Sequence, residues 1–361
     1  MKKVLAFPQL GDYKHPIGKF LRKVTNLEVI ETPPITRKTI DLGSKYSPDS
    51  VCIPFKYNLG NFIEALDMGA NVLLQAGGGC RYRYYAEVQE TILKDLGYNF
   101  EFIQIIGGDS LNFKEVFAIF KKLNPTLTKR EFIHEGLSAL LYINYLDKLD
   151  IEIRKRIGFE KNKGSFLRLK NRFISDCNNA KGIFALRKIY KNSLRYLKTI
   201  PINKPKNCLK VGIIGELYTA MEPYSNYELE KTLASYHMEI KRFTNVSYLL
   251  WQKKFLLPFM KFRIRKYCKY TLGADGLDNV YRINYLKRHH FDGVIHTKPT
   301  GCTPEIGAIP IMIKEAKDLN IPIECYLLDN VDSNPIYKND TINFLFFITF
   351  SLIFLLINNI L

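Results

Sequence analysis

The sequence predicts an α/β protein of two lobes with mostly parallel sheets and a basic helical insertion. Three observations lead there. Short apolar runs alternate with stretches of helical spacing from Met1 to about Gly108, and do so again in the last third of the chain. Glycine and proline turns stand at the junctions of both stretches. Between them the strand signals fade and helix-forming sequence takes over. The domains therefore read as a first α/β lobe over 1–111, a basic helical region and linker over 112–206, a second α/β lobe over 207–330, and an apolar tail over 341–361.

In the first lobe, Lys3–Phe7 is a short apolar run and reads as a strand, and His15–Val24 has the spacing of a helix. Leu27–Glu31 reads as a second strand ending at the Pro33–Pro34 turn. Gly60–Met68 is helical in period, Asn71–Leu74 is a strand, and Gly77–Gly79 is a turn. Tyr85–Leu96 reads as a helix closed by Gly97, since glycine readily takes the left-handed conformation that ends helices. Phe100–Ile106 is the next strand.

Across 112–206 basic residues outnumber acidic ones roughly three to one, which suggests a helical cap with a positive face. The second lobe opens with Lys210–Gly215 as a strand. Ser225-Asn226-Tyr227-Glu228 fits a capping box for a helix running through Leu233. Lys253–Tyr270 is a basic, aromatic helix, Asp292–His296 a strand, Ile306–Leu319 a helix and Ile321–Leu328 the last strand. No internal repeat is obvious, although both lobes share the strand–loop–helix pattern.

The formal charge of +18 on 361 residues suits an anionic partner such as a membrane surface or a phosphate-bearing molecule like coenzyme A; solvated lysine-rich faces account for it equally well. No nucleic-acid motif accompanies the charge, so no nucleic-acid partner is expected. The start, MKKVLAFPQL, lacks the apolar core of a signal peptide. Seven cysteines, odd in number, argue against a disulfide framework and for a reducing compartment. The expected location is the cytoplasm. The alternative is anchoring through Thr341–Leu361, which is uncharged and long enough for a bilayer-spanning helix. The preferred reading of that tail is an out-of-frame or divergent ending.

Three cysteines share one local setting. Cys52 stands just before a helix, Cys80 follows a strand and three glycines, and Cys302 follows the strand DGVIH and the turn TKPTG. Ligands of open α/β sheets gather at the carboxyl ends of strands, and a helix N-terminus favours thiolate, the form that binds soft metals. Each cysteine alone would pass as a small core residue; three alike favour a metal. Structural zinc is normally closed by local pairs of ligands. Three scattered thiolates suit a 4Fe–4S cluster with one iron left open. His289, His290 and His296 are candidates for a fourth ligand, though a lone histidine at a strand end is usually just hydrogen-bonded. Cys325 reads as core, and Cys177, Cys208 and Cys268 as non-ligands. GGGCRYR lacks the Gly-Lys-Ser/Thr of a phosphate loop, so any ATP hydrolysis belongs to another protein. Glu216 and Glu222 border the loop after the second lobe's first strand, where capping roles compete with catalysis.

The strings PPITRKTIDLGSKYSPDSVCIPFKYNLGNFIEAL, GGGCRYRYYAEVQETILKDLGY, KVGIIGELY and HTKPTGCTPEIGAIP resemble the acyl-CoA dehydratase activase-related proteins, also named CoA protein activases. These are similar to the component B subunits of 2-hydroxyglutaryl-CoA dehydratase. The resemblance runs from Met1 to about Leu328. It implies two Rossmann-like lobes with a 4Fe–4S cluster between them on cysteines matching Cys52, Cys80 and Cys302. It further implies an ATP-hydrolysing activator protein that delivers an electron, a related dehydratase subunit as partner, and an acyl-CoA ligand for radical dehydration of a 2-hydroxyacyl-CoA. The sequence departs from the family at two positions: Gly79 stands where relatives often carry proline, and Arg83 where they often carry glycine. Two other functions compete with a dehydratase-type protein. One is a non-catalytic cluster carrier for a CoA enzyme. The other is a membrane-associated protein that uses its basic faces.

Overall fold

The computed structural model describes residues 2–77, 80–105 and 112–327. The chain divides into two units. One comprises Met1–Ile153, Glu160–Asn203 and Val246–Trp251; the other Arg154–Phe159, Lys204–Asn245 and Gln252–Leu361.

The first unit begins β1 (Val4–Phe7), α1 (Lys14–Thr25), β2 (Glu28–Glu31), α2 (Arg37–Tyr46), α3 (Ile53–Asp67), β3 (Val72–Ala76), α4 (Tyr85–Asp95) and β4 (Glu101–Ile105). Its four strands are all parallel, in the order β2-β1-β3-β4. Side chains alternate across a strand, so a sheet covered on both faces needs two sets of apolar partners. Leu5, Phe7, Val72 and Leu74 face one way and meet Leu21, Val24, Phe120 and Phe132. Ala6 and Leu73 face the other way and meet Phe55, Leu59, Phe62 and Leu93. Helix ends follow their sequence signals: α1 stops at Asn26 (φ 54°) and α4 is followed by Gly97 (φ 87°), both left-handed.

The basic region contributes α5 (Phe113–Leu123), α6 (Lys129–Arg154), α7 (Ser165–Asn179) and α8 (Gly182–Thr199). The apolar sides of α5 and of the start of α6 are committed to the first sheet: Phe120 on α5, Leu127 and Phe132 belong to the same core as β1 and β3.

The second unit holds β5 (Lys210–Gly215), α9 (Leu217–Met221), α10 (Leu229–Ser235), β6 (Glu239–Arg242), α11 (Lys253–Ile264), α12 (Gly276–Arg288), β7 (Gly293–Lys298), α13 (Thr303–Leu319) and β8 (Ile323–Leu327). Its sheet is also parallel throughout, and its order β6-β5-β7-β8 repeats that of the first. One face packs Val211, Ile213, Ile240 and Ile295 against Leu229, Leu233 and Met238. The α/β class with two parallel sheets is thus the observed one.

Some local expectations need correction. The helix expected over Lys253–Tyr270 ends at Ile264, and that over Ile306–Leu319 starts at Thr303. The capping box at Ser225–Glu228 does not form. The helix begins at Leu229, with Glu228 before it in a left-handed conformation (φ 59°), and Asn226 Oδ1 accepts from Leu229 N–H at 3.1 Å. Asn226, two residues before the Glu228 cap, thus takes up the first amide of the helix. Leu328 and the tail Thr341–Leu361 lie outside the described residues. Among the described residues no helix is long and apolar enough to cross a membrane.

Candidate functional site

At the carboxyl rim of the first sheet, two helix starts are held together. The approach begins with α2, capped by Thr36, whose hydroxyl accepts from Thr39 N–H while Thr39 returns a bond to the Thr36 amide. Helices α2 and α3 then cross with almost no space between their backbones. A Cβ on Gly43 would lie 1.8 Å from the Lys56 carbonyl oxygen, and one on Gly60 would lie 2.0 Å from that of Thr39. Thr39 Oγ1 also donates to the buried Glu64 carboxylate at 2.8 Å. This crossing fixes the connection 47–52, and Cys52 is the residue directly before α3, followed by proline in the first turn. Helix α3 is buried along nearly its whole circumference, so Cys52 is delivered by a rigid element.

Cys80 directly precedes the 3₁₀ turn Arg81–Tyr84, which runs into α4. Two bonds tie that turn to its surroundings, and a third ties α4 to α3. Asn58 Nδ2 donates to Tyr82 Oη at 2.6 Å, Gln89 Nε2 to the Phe55 carbonyl at 3.1 Å, and Gln104 Nε2 to the Arg83 carbonyl at 3.2 Å. Tyr85 stands edge-on to Phe55, with ring centroids 4.9 Å apart, and its Oη is 2.7 Å from Cys52 Sγ. A thiolate only accepts, so with Cys52 ionised the phenol is the donor. Burial, and then the adjacent Cys52 sulfur, push the Tyr85 phenol well above its usual range, which keeps that proton on oxygen. Sequence reasoning missed Tyr85. Its signal was the Tyr-Arg-Tyr-Tyr run after Cys80.

In the second unit, Cys302 directly precedes α13, again with proline in the first turn, and follows β7 at the carboxyl rim of its sheet. Beneath it lies a buried polar cluster. His296 Nε2 is 2.6 Å from Glu305 Oε2, and both side chains are buried. Asn279 Nδ2 donates to both Glu305 oxygens at 2.9 Å. Asn279 Oδ1 accepts from Arg282 Nη1 at 3.0 Å and from Gly215 N–H at 3.2 Å. The cluster links β5, β7, α12 and the first turn of α13. His296 is therefore engaged with Glu305. His289 and His290 are exposed after the end of α12, just ahead of β7, which puts them at the opposite edge of the sheet from Cys302. Neither can serve as a ligand beside it. Glu216 caps α9, accepting from the amides of Tyr218 (3.0 Å) and Thr219 (2.9 Å). Burial pushes its carboxyl up to about 7 against the pull of those two amides, with Asp275 and Glu305 adding to the rise. Glu222 is buried and accepts from Tyr224 N–H at 3.4 Å.

The remaining cysteines have other surroundings. Cys177 is buried in α7 and burial pushes its thiol up to about 12; the same cause raises Cys325 in β8 to about 12. Cys268 is buried and its sulfur donates to the Tyr270 carbonyl at 3.0 Å, while Cys208 is half-buried two residues before β5. Among the described residues no disulfide forms, and no group of three or more histidine, cysteine or acidic side chains is gathered closely enough to hold a metal ion. The structure brings Cys52 to Tyr85 on the rim that carries Cys80, and sets Cys302 on the corresponding rim of the second unit. Set against protein-family models and curated proteins, the sequence matches none.

Proposed function

We propose that Cys52, Cys80 and Cys302 hold a 4Fe–4S cluster, in a protein of the 2-hydroxyacyl-CoA dehydratase type that receives its electron from an ATP-hydrolysing activator. The observation that carries this reading is the repeated placement of the three thiols. Cys52 and Cys302 each stand directly before an α-helix, and Cys80 before the 3₁₀ turn that runs into α4, at the carboxyl rim of a parallel sheet, where backbone N–H groups and the helix dipole favour thiolate. The donor set fits the group chemically: soft thiolates, a hydroxyl donating to one sulfur, and helix-start amides beside each. Such a cluster, when bound, supplies one-electron transfer at an iron with an open position. The chain's own residues anchor the sulfurs through α3, the 81–84 turn and α13, and Tyr85 holds a proton against Cys52. An acyl-CoA is the proposed ligand and a related dehydratase subunit the proposed partner.

The test is anaerobic purification followed by iron and sulfide analysis and electron paramagnetic resonance of the reduced protein. Close to four irons per chain with a cluster signal, on the stoichiometry of such clusters, is the expected result. Iron-free protein after anaerobic reconstitution would sink the reading. Turnover of a 2-hydroxyacyl-CoA in the presence of an activator separates the dehydratase reading from that of a non-catalytic cluster carrier.

A further inference from the structure

Helix α11 carries apolar residues on two sides. Met260 and Ile264 are buried, and Lys253 Nζ reaches the carboxylates of Asp275 at 3.0 Å and Asp278 at 2.8 Å, which fixes that side to the start of α12. At about 100° per residue, Phe255, Phe259 and Phe262 fall away from that side; Phe259 meets Tyr281 of α12 edge-on, ring centroids 6.0 Å apart, and leaves its outer part to solvent. The three phenylalanines are 81%, 47% and 60% exposed, and Leu256 beside them is 40% exposed. A helix that serves only its own core confines its apolar residues to the packed side. Three phenylalanines in a row on the solvent side form a patch that calls for a partner.

The charge around the stripe identifies the partner's chemistry. Lys254, Lys261 and Arg265 fall along one flank and Arg263 along the other. Arg263 and Arg265 lie over the rings of Phe259 and Phe262, 5.4 and 4.6 Å from their centroids, so positive charge sits directly on the apolar stripe. No acidic residue occurs between Glu239 and Asp275. A stable protein interface covers about 800 Å² on each partner and demands matching shape; three rings on one convex helix flank offer neither. Bulky rings rimmed by cations do match the boundary between lipid headgroups and acyl chains.

We propose that this face of α11 docks on an anionic lipid surface. The three phenylalanines enter the headgroup boundary, and Lys254, Lys261 and Arg265 meet lipid phosphates and carboxylates. The proposal does not depend on a bound cluster.

Co-sedimentation of the full chain with phosphatidylcholine vesicles, with and without phosphatidylserine, tests it. Trp251, the chain's single tryptophan, stands two residues before α11 and reports insertion through quenching by brominated lipid. Binding is expected only with phosphatidylserine and is expected to weaken as salt rises. It should persist in a chain ending at residue 340. It should fall at least about tenfold in both Phe255→Ser/Phe262→Ser and Lys254→Glu/Lys261→Glu, substitutions at exposed sites that leave the core intact. Binding that ignores lipid charge, survives both double variants or vanishes with the tail would overturn the proposal. So would a vesicle-free dimer that the phenylalanine variant converts to monomer.

Discussion

Tyr85 presents its hydroxyl to the sulfur of Cys52 and keeps its proton, because burial and the sulfur itself oppose ionisation. Hydrogen bonds to cluster sulfurs stabilise the reduced, more negative state. Tyr85→Phe is therefore expected to retain iron and move the midpoint potential to more negative values, read by redox titration. Iron loss as complete as in Cys52→Ala would assign Tyr85 to holding the site instead. Cys52→Ala, Cys80→Ala and Cys302→Ala should each strip most of the iron in anaerobic counts. Cys177→Ala, Cys208→Ala and Cys268→Ala should keep it. Cys325→Ala should also keep it, at a cost of about 1 kcal/mol for the small cavity in β8. Full iron in Cys302→Ala beside loss in Cys177→Ala or Cys268→Ala would break the ligand assignment. What the sequence reveals about these positions is their local setting, a turn before a helix. The contact of Cys52 with Tyr85 spans 33 residues and depends on how α3 packs on α4, which no local pattern encodes.

Helices α2 and α3 show what glycine does when two backbones must touch. Adding a methyl group at Gly43 or Gly60 drives it into a carbonyl oxygen on the facing helix, at 1.8 or 2.0 Å. Either alanine variant should lose about 3 kcal/mol in chemical denaturation, since backbone cannot swing aside as a side chain does. Gly136→Ala in α6, where nothing lies within 4 Å of the added methyl, should instead gain about 0.5–1 kcal/mol from helix propensity. Equal effects at all three sites would contradict the crossing. Because Cys52 sits in the connection between α2 and α3, the two costly variants should also weaken iron retention. Elements with apolar runs, such as β5 (KVGIIG), were legible from sequence to the residue. Helix α2 was not, because RKTIDLGSKY is polar and holds a glycine whose purpose is the facing helix. Nor was β6, whose four residues EIKR include three charged ones and bury only alternate side chains.

At the scale of the molecule, stability should depend on pH through buried acids of the second unit. Glu315 in α13 is 1% exposed, and one of its carboxylate oxygens is buried with no hydrogen-bond partner among the described residues. Burial pushes its carboxyl from the ordinary 4.5 up to about 8, with Asp318 adding to the rise and Lys266 opposing it. Between those values the folded chain keeps a proton that the unfolded chain has released. The contribution is full below pH 4.5 and is lost as pH rises through 8, a change on the order of 5 kcal/mol. Urea unfolding measured from about pH 5 to pH 9 should show the decline, and Glu315→Gln should flatten it. Parallel curves for the two proteins would refute the assignment. The repeated strand order has a different consequence, for biosynthesis. Every strand of the first sheet lies within residues 4–105 and every strand of the second within 210–327, so among the described residues no strand pairing joins the two halves of the message. At roughly 5–20 residues per second, the ribosome needs about 5–20 s to translate from the end of β4 to the start of β5. The first sheet can complete its register in that interval, before any strand of the second sheet has been made.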